Sequence, residues 1–434
     1  MMIKQSEKAE PGDYVEVHLI KKIYEGVLLE NSEDEKGILL LKLESGYNVG
    51  LNKKDILKIN IVKKAVEKDD KSEIRGDVSK SNIAIIITGG TISARLNPKK
   101  GGVDWLDSPE SLFKFYPELF EKVNVVKLEI PFMKASEDMD STDWKKLAKL
   151  AEKLLNDSNI RGIIITHGTD FLHYTSAALS FFLRNLNKPV VLTYSQRSID
   201  RASSDADLNL KCSALAAISD IAEVMLVGHA SSNDDYCYAM PGTKVRKMHT
   251  SRRDAFQVVN SRPFAKIFPD KIEIISEYNV RKKSKNNAMA DTKFEEKVAS
   301  IKVYPGQDPE ILDFYLKKKY KGLVLEMPGL GHIPTRRARK SWVKKLKEVQ
   351  KKGLIICAVA QTIYGRLDPL VYSNGREILN TGVIYLNDML AETALVKLGW
   401  VLGHKEWSKN KNIIKEKMSE NFSHELNDRL EYEI

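Results

Sequence analysis

A chain of 434 residues is too long for one hydrophobic core, so two or three domains are expected. Its apolar fraction of 42% is that of an ordinary globular protein, and no run, the opening MMIKQSEKAEPGDY included, has the apolar length of a signal peptide or a membrane span. The net charge of +10 comes mostly from scattered lysine, which makes a solvated surface with at most weak, salt-sensitive attraction to nucleic acid.

PGDYVEVHL, IYEGVLLEN, GILLLKLESGYNVGL and ILKINIV are short β-rich segments broken by Gly, Asn and Glu, and they predict a small SH3-like β-barrel domain within residues 1–65. The polar VEKDDKSEIRGDVSKS (66–81) reads as a linker. From residue 82 the pattern changes. NIAIIIT (82–88), RGIIITH (161–167) and KPVVLTY (188–194) read as buried strands. Between and after them, TDWKKLAKLAEKLLND (142–157) places Trp144, Leu147, Leu150, Leu154 and Leu155 on one helical face. FLHYTSAALSFFLRNL (171–186) does the same with Leu172, Ala178, Leu179 and Phe182. Strands alternating with helices imply an α/β fold with a doubly wound, mostly parallel sheet over 82–280.

RKKSKNNAMADTKFEEK (281–297) is polar and lysine-rich, a second linker. Beyond it, VASIKVYPG, KGLVLEMPG and KKGLIICAVAQ read as strands, with SWVKKLKEVQ and DMLAETALVKLGW as helices, giving a smaller α/β domain over 298–405. Residues 406–434 form a charged tail with a terminal helix. Cys212, Cys237 and Cys357 lie far apart without a CxxC pair, which points to reduced structural thiols and a cytoplasmic location. The eight histidines show no HxxxH or HExxH spacing, so no metal site is expected.

Four segments could carry chemistry. The Thr-Gly-Gly-Thr turn after the first strand (88–91) allows a tight bend and close approach of a ligand to the backbone. Thr91 there is either a nucleophile or a helix cap. THGTD (166–170) sits at the end of another strand; either Thr169 or Asp170 caps the next helix, or the Asp170 carboxylate meets a substrate ammonium. His167 in that segment reads as structural. In PFMKASEDMDS (131–141), Ser136 and Glu137 either hydrogen-bond a polar ligand or cap a helix starting near Asp140. In VRKMHTSRRDAFQ, Lys247 is either solvated surface or, buried beside carboxylates and hydroxyls, a group for proton transfer. The other basic run, TRRARKSWVKKLK (335–347), has no interleaved aromatics and reads as a solvated face.

Taken together and in order, TGGTI, SEDM, THGTD and a lysine nine residues before Phe256 resemble the bacterial-type L-asparaginase and glutaminase family over roughly residues 82–400. SQRSIDRASSDADLNL (195–210), RKMHTSRRDAFQ (246–257) and QTIYGRLDPLVYSNGRE (361–377), with the extra N-terminal β-domain, narrow the resemblance to the D-type component of archaeal glutamyl-tRNA(Gln) amidotransferase. The resemblance implies that Thr91 is the nucleophile, that Thr169, Asp170 and Lys247 form a proton relay, and that Ser136 and Glu137 hold the amino-acid substrate. It implies hydrolysis of glutamine, with ammonia passed to a partner, the E-type component of the amidotransferase, that uses ATP and magnesium to amidate Glu-tRNA(Gln). On this reading the chain carries no cofactor of its own, meets the tRNA mainly through its partner, and forms a homodimer within a heterotetramer. The sequence departs from the family in the loop after TGGTI, SARLNPKKGGVDW, where Pro98 stands in place of a tyrosine expected to help activate the nucleophile. The alternatives are a stand-alone cytoplasmic L-asparaginase and a catalytically weak scaffold protein.

Overall fold

The computed structural model describes residues 8–29, 37–43, 48–64, 79–97, 102–105, 119–198, 203–281 and 287–430. The first unit is a five-stranded antiparallel sheet in the order β4-β3-β2-β1-β5, built from β1 (Tyr14–Leu19), β2 (Ile23–Leu28), β3 (Ile38–Leu43), β4 (Asn48–Asn52) and β5 (Ile56–Lys63). Its small core gathers Val15, Val17, Leu28, Leu39, Leu41 and Leu51. Along β1 the period-two alternation sends Val15 and Val17 inward and their neighbours toward solvent.

The second unit opens with β6 (Ser81–Ile87) and a short antiparallel pair, β7 (Ala94–Asn97) and β8 (Gly102–Trp105). It continues through α1 (Leu119–Lys122), β9 (Val123–Glu129), α2 (Ser141–Leu155), β10 (Gly162–Thr166) and α3 (Leu172–Phe182). Then come β11 (Leu183–Arg184), β12 (Val190–Thr193), α4 (Ala206–Ile218), β13 (Val224–His229) and β14 (Cys237–Pro241). The hairpin strands β15 (Val245–Lys247) and β16 (Phe256–Val258) precede β17 (Ala265–Ile267), β18 (Ile272–Ile274) and β19 (Met289–Ala290). The main sheet runs β18-β17-β14-β13-β12-β10-β6-β9. Its β9, β6, β10, β12 and β13 pair in parallel; β14, β17 and β18 extend it antiparallel.

The run of isoleucines in β6 follows from this layering. Ala84 and Ile86 pack into one core, and Ile83, Ile85 and Ile87 into the core on the opposite face. Both faces are covered, so an amphipathic strand would leave a polar row buried. Each fully buried isoleucine contributes roughly 1.5–3 kcal/mol relative to exposure. The helix expected over 171–186 ends early, at Phe182. Leu183 turns extended and β11 pairs with β19, while Asn185 takes a left-handed φ of 56°.

The third unit is a parallel sheet in the order β20-β21-β22-β23: β20 (Val298–Lys302), β21 (Gly322–Met327), β22 (Ile355–Ala360) and β23 (Ile384–Tyr385). Its helices include α5 (Ile311–Lys317), α6 (Val343–Lys351), α7 (Ser373–Leu379) and α8 (Ala391–Gly403). The fold is thus a small antiparallel β-domain followed by two α/β units, with one mixed and one parallel sheet. In the basic run 335–347, which leads into α6, Lys345 of that helix is buried rather than solvated, paired with Glu310 at 3.0 Å and Asp313 at 2.8 Å.

One apolar cluster joins the two α/β units, with Leu147, Phe181 and Phe182 from the larger and Val324, Cys357 and Trp400 from the smaller. Phe181 stacks on Trp400 with centroids 5.6 Å apart. The chain after 405 contributes to the same core. Helices α9 (Lys405–Ser408) and α10 (Lys411–Ser419) place Ile414 and Met418 in it. Glu425, fully buried, pairs with the fully buried Lys397 of α8 at 2.6 Å and accepts backbone N–H groups from Phe422 and Ser423. Removing one member strands the other charge in the core. Glu425→Ala is expected to destabilise the chain by about 3–5 kcal/mol, read as a fall in the urea midpoint.

Candidate active site

The parallel register brings the loops after β6 and β10 side by side. Ile163 pairs with Ala84 and Thr166 with Ile87, so both strands stop at one level. Thr88 closes the seam, donating its N–H at 3.2 Å and its hydroxyl at 2.8 Å to the Thr166 carbonyl. The Thr88 carbonyl accepts the N–H of Lys134 at 2.9 Å, which ties in a third loop after β9.

The glycines are there because backbones touch. Gly89 and Gly90 have φ of +118° and +82°. A Cβ on Gly89 would strike the Lys134 carbonyl, and one on Gly90 would lie 2.5 Å from the Gly168 N and Cα. A Cβ on Gly168 would come within 3.1 Å of the Ser136 N. The TGGT, HGTD and ASED segments therefore converge on one spot, and Thr91, Thr169 and Ser136 each follow or meet a contacting glycine.

Within it, Lys247 reaches across from β15. Its Nζ donates to Thr169 Oγ1 at 2.8 Å and to Asp170 Oδ1 at 2.7 Å, with the lysine side chain only 12% exposed and that of Asp170 60%. Thr91 opens a short 3-10 turn and is half-buried. Buried Ser136 accepts the Phe171 N–H at 3.2 Å, and exposed Glu137 lies beside it, with Ser136 Oγ 3.5 Å from Glu137 Oε2. For Thr169, Asp170, Ser136 and Glu137, capping of the next α-helix is not what the side chains do. The N-cap of α3 is Phe171, without a side-chain cap bond, and α2 is capped by a box between Asp140 and Asp143. Chemically, a hydroxyl held by an ammonium that also meets a carboxylate can pass a proton, and an exposed carboxylate beside it can meet an ammonium.

His167 is fully buried, its Nδ1 2.7 Å from the Gly168 carbonyl; burial pushes its pKa down to about 4. At the second residue of α3, His173 is pushed down to about 3 by burial and by the neighbouring Arg246 and Lys247 cations. Both rings are neutral near pH 7. The sequence reading missed several neighbours: Arg246, whose Nε lies 3.1 Å from Glu392 Oε1, and Tyr174, raised to about 12 by burial and by the Glu392 and Glu326 charges. A carboxylate inside the apolar helix DMLAETALVKLGW was the available signal for Glu392. Pro98, the position where the family resemblance calls for a tyrosine, lies outside the described residues. Among the described residues no three His, Cys, Asp or Glu side chains gather as a metal site, and no helix is long and apolar enough to cross a membrane.

Residues 82–280 match the model of the asparaginase N-terminal domain, residues 297–416 that of the glutaminase/asparaginase C-terminal domain, and residues 9–62 that of the GatD N-terminal domain. The D-type glutamyl-tRNA(Gln) amidotransferase component of Pyrococcus furiosus is 46% identical over 404 residues, 91% of this chain and 90% of that protein. Its counterpart in Methanobrevibacter smithii is 41% identical over 426 residues, 96% and 94% of the two chains. Among solved structures, the thermostable L-asparaginase from Thermococcus kodakarensis superposes with a TM-score of 0.70 at 28% identity, covering 80% of this chain and all of that one.

Two expectations follow from the geometry. Gly90→Ala adds a methyl where the Gly168 backbone lies 2.5 Å away, so any activity at this site should fall on the order of 10²-fold, as for a displacement of about 1 Å. Gly353→Ala, equally left-handed but with open space around it, should cost stability and leave activity intact. The second concerns acid. The unfolded chain protonates His173 near its ordinary pKa of about 6.5, whereas the folded chain holds it neutral down to about 3. The unfolded state therefore binds more protons between those values, and stability falls as pH drops through that window. His173→Phe should flatten part of that slope, measured as urea midpoints at about pH 7 and about pH 5.

Proposed function

The chain belongs to the GatD family, the D-type components of glutamyl-tRNA(Gln) amidotransferase, within the asparaginases, and on that premise we propose how its residues perform the glutaminase step. The chain hydrolyses glutamine to glutamate and ammonia as the amidohydrolase component of the amidotransferase. The observation that supports these roles is Lys247, bonded at once to Thr169 and Asp170 beside the backbone contact of Gly168 with Gly90, the residue before Thr91.

The Thr91 hydroxyl attacks the side-chain amide carbon of glutamine. Lys247 gives a proton to the departing nitrogen and recovers one, through Thr169, from the Thr91 hydroxyl, with Asp170 balancing the lysine charge. The carbon–nitrogen bond breaks, ammonia leaves, and Thr91 carries a glutamyl ester. Backbone N–H groups of the two glycine turns stabilise the oxyanion. Water then attacks the ester, the same relay takes its proton and returns it to Thr91, and glutamate departs. Ser136 binds the α-carboxylate; Glu137 and Asp170 bind the α-ammonium, which suits a carboxylate pair open to solvent.

The ammonia serves a partner that converts Glu-tRNA(Gln) to Gln-tRNA(Gln), and this E-type component binds the ATP, magnesium and most of the tRNA. Two copies of this chain form a homodimer within a heterotetramer. Support for an assembly surface comes from Ile363, Tyr364, Leu370, Val371 and Tyr372, all exposed in the loops between β22 and α7. Three buried free cysteines fit a reducing, cytoplasmic setting.

The test is glutamine-dependent ammonia release by the complex of this chain with its amidating partner, ATP and Glu-tRNA(Gln). Thr91→Val is expected to abolish release, and Lys247→Met to slow it by roughly 10²–10⁴-fold. Unchanged release by Thr91→Val would remove Thr91 from the chemistry.

A further inference from the structure

Lys247 needs its direction fixed, because its long side chain otherwise samples many rotamers. Its own strand does little to fix it: β15 is three residues long and pairs with β16 alone in a two-stranded sheet. What grips the strand comes from the smaller α/β unit, at the entry to α8. Thr393 Oγ1 donates to the Thr243 carbonyl at 2.7 Å. Lys244 Nζ lies 2.5 Å from Asp388 Oδ2, both side chains fully buried. Arg246 Nε lies 3.1 Å from Glu392 Oε1. Three of the four residues before Lys247 are thus held by residues 388–393.

The third contact differs from the first two. Thr243 and Lys244 are buried anchors of the interface, whereas the Arg246 side chain is one-third exposed and adjoins Lys247 directly. In an extended strand neighbouring side chains point to opposite sides. Seating Arg246 on one side therefore sets the roll of β15 and the direction in which Lys247 leaves the other. Glu392 is 8% exposed and keeps a second carboxylate oxygen, Oε2, without a hydrogen-bond partner among the described residues. A buried carboxylate left half-satisfied is costly to keep for packing alone.

We propose that Glu392 is a positioning residue for the glutaminase reaction: through Arg246 it sets the rotation of β15 and holds the Lys247 ammonium on Thr169 and Asp170. It touches no reacting atom. The smaller unit thereby acts on the chemistry of the larger one, and the inference rests on the relay role given to Lys247.

The experiment measures glutamine-dependent ammonia release by the full complex carrying E392Q, R246M or R246M/E392L. Each single substitution should lower kcat on the order of tenfold with KM within about twofold, since proton transfer suffers and substrate binding does not. The double variant should be no slower than the slower single one, because both break the same link. A wild-type kcat for E392Q, a change in KM alone, or losses that multiply in the double variant would each overturn the proposal. If E392Q does not fold, R246M decides, and an unchanged kcat there is equally fatal. A wild-type complex that releases no ammonia would overturn the glutaminase roles themselves; an active wild type matched by E392Q overturns this inference alone.

Discussion

Everything at the site depends on three loops that meet backbone to backbone. Gly89 lies on the Lys134 carbonyl, Gly90 on Gly168, and Gly168 on Ser136. No side chain separates them, so the polar groups carried by these loops are brought within reach of one ligand. The parallel pairing of β6 with β10 sets the level at which the loops meet, and the Thr88 bonds to Thr166 keep it from sliding. An error of one residue in that register would turn the isoleucines of β6 to the wrong faces. The same hydrophobic pattern that builds the sheet therefore also aligns the chemistry.

The smaller α/β unit is more than a neighbour. Lys244–Asp388 and Lys397–Glu425 are charge pairs sealed inside the protein, each satisfied by further hydrogen bonds: Asp388 from the Asn427 side chain, Lys397 to the Met418 carbonyl. Such pairs add little net stability over apolar packing, but they punish misalignment heavily. They make the relation between α8, β15 and the tail specific in a way that the shared apolar core of Phe181 and Trp400 does not.

Much of this was legible in the sequence, for definite reasons. Buried strands announce themselves when both faces are covered, as in NIAIII, and Gly-Gly or His-Gly turns at strand ends mark places where backbones come close. Thr91, Ser136, Thr169 and Lys247 lie in four distant segments, and only the joint pattern singled them out; the structure brings those segments together. What stayed hidden depends on long-range partners. The burial of Lys345 depends on Glu310 and Asp313, and the pairing of Arg246 depends on Glu392, 146 residues away by the difference of their numbers. The stretch from 406 reads as charged tail, because the pattern shows the lysines and glutamates but not that Glu425 turns inward to Lys397. The early end of α3 likewise depends on β19, more than a hundred residues downstream.

The tail's return to the middle of the chain also sets a schedule. Lys247 is oriented by groups at 388, 392 and 393, and Asp388 is itself held by the Asn427 backbone and side chain. On a ribosome adding roughly 5–20 residues per second, residue 427 follows residue 247 by about 10–40 s. The main sheet can assemble in that interval, but the lysine of the proposed relay is locked in place only after residue 427 has been made. A nascent chain would thus pass through a long stage in which the sheet is formed and the relay is not.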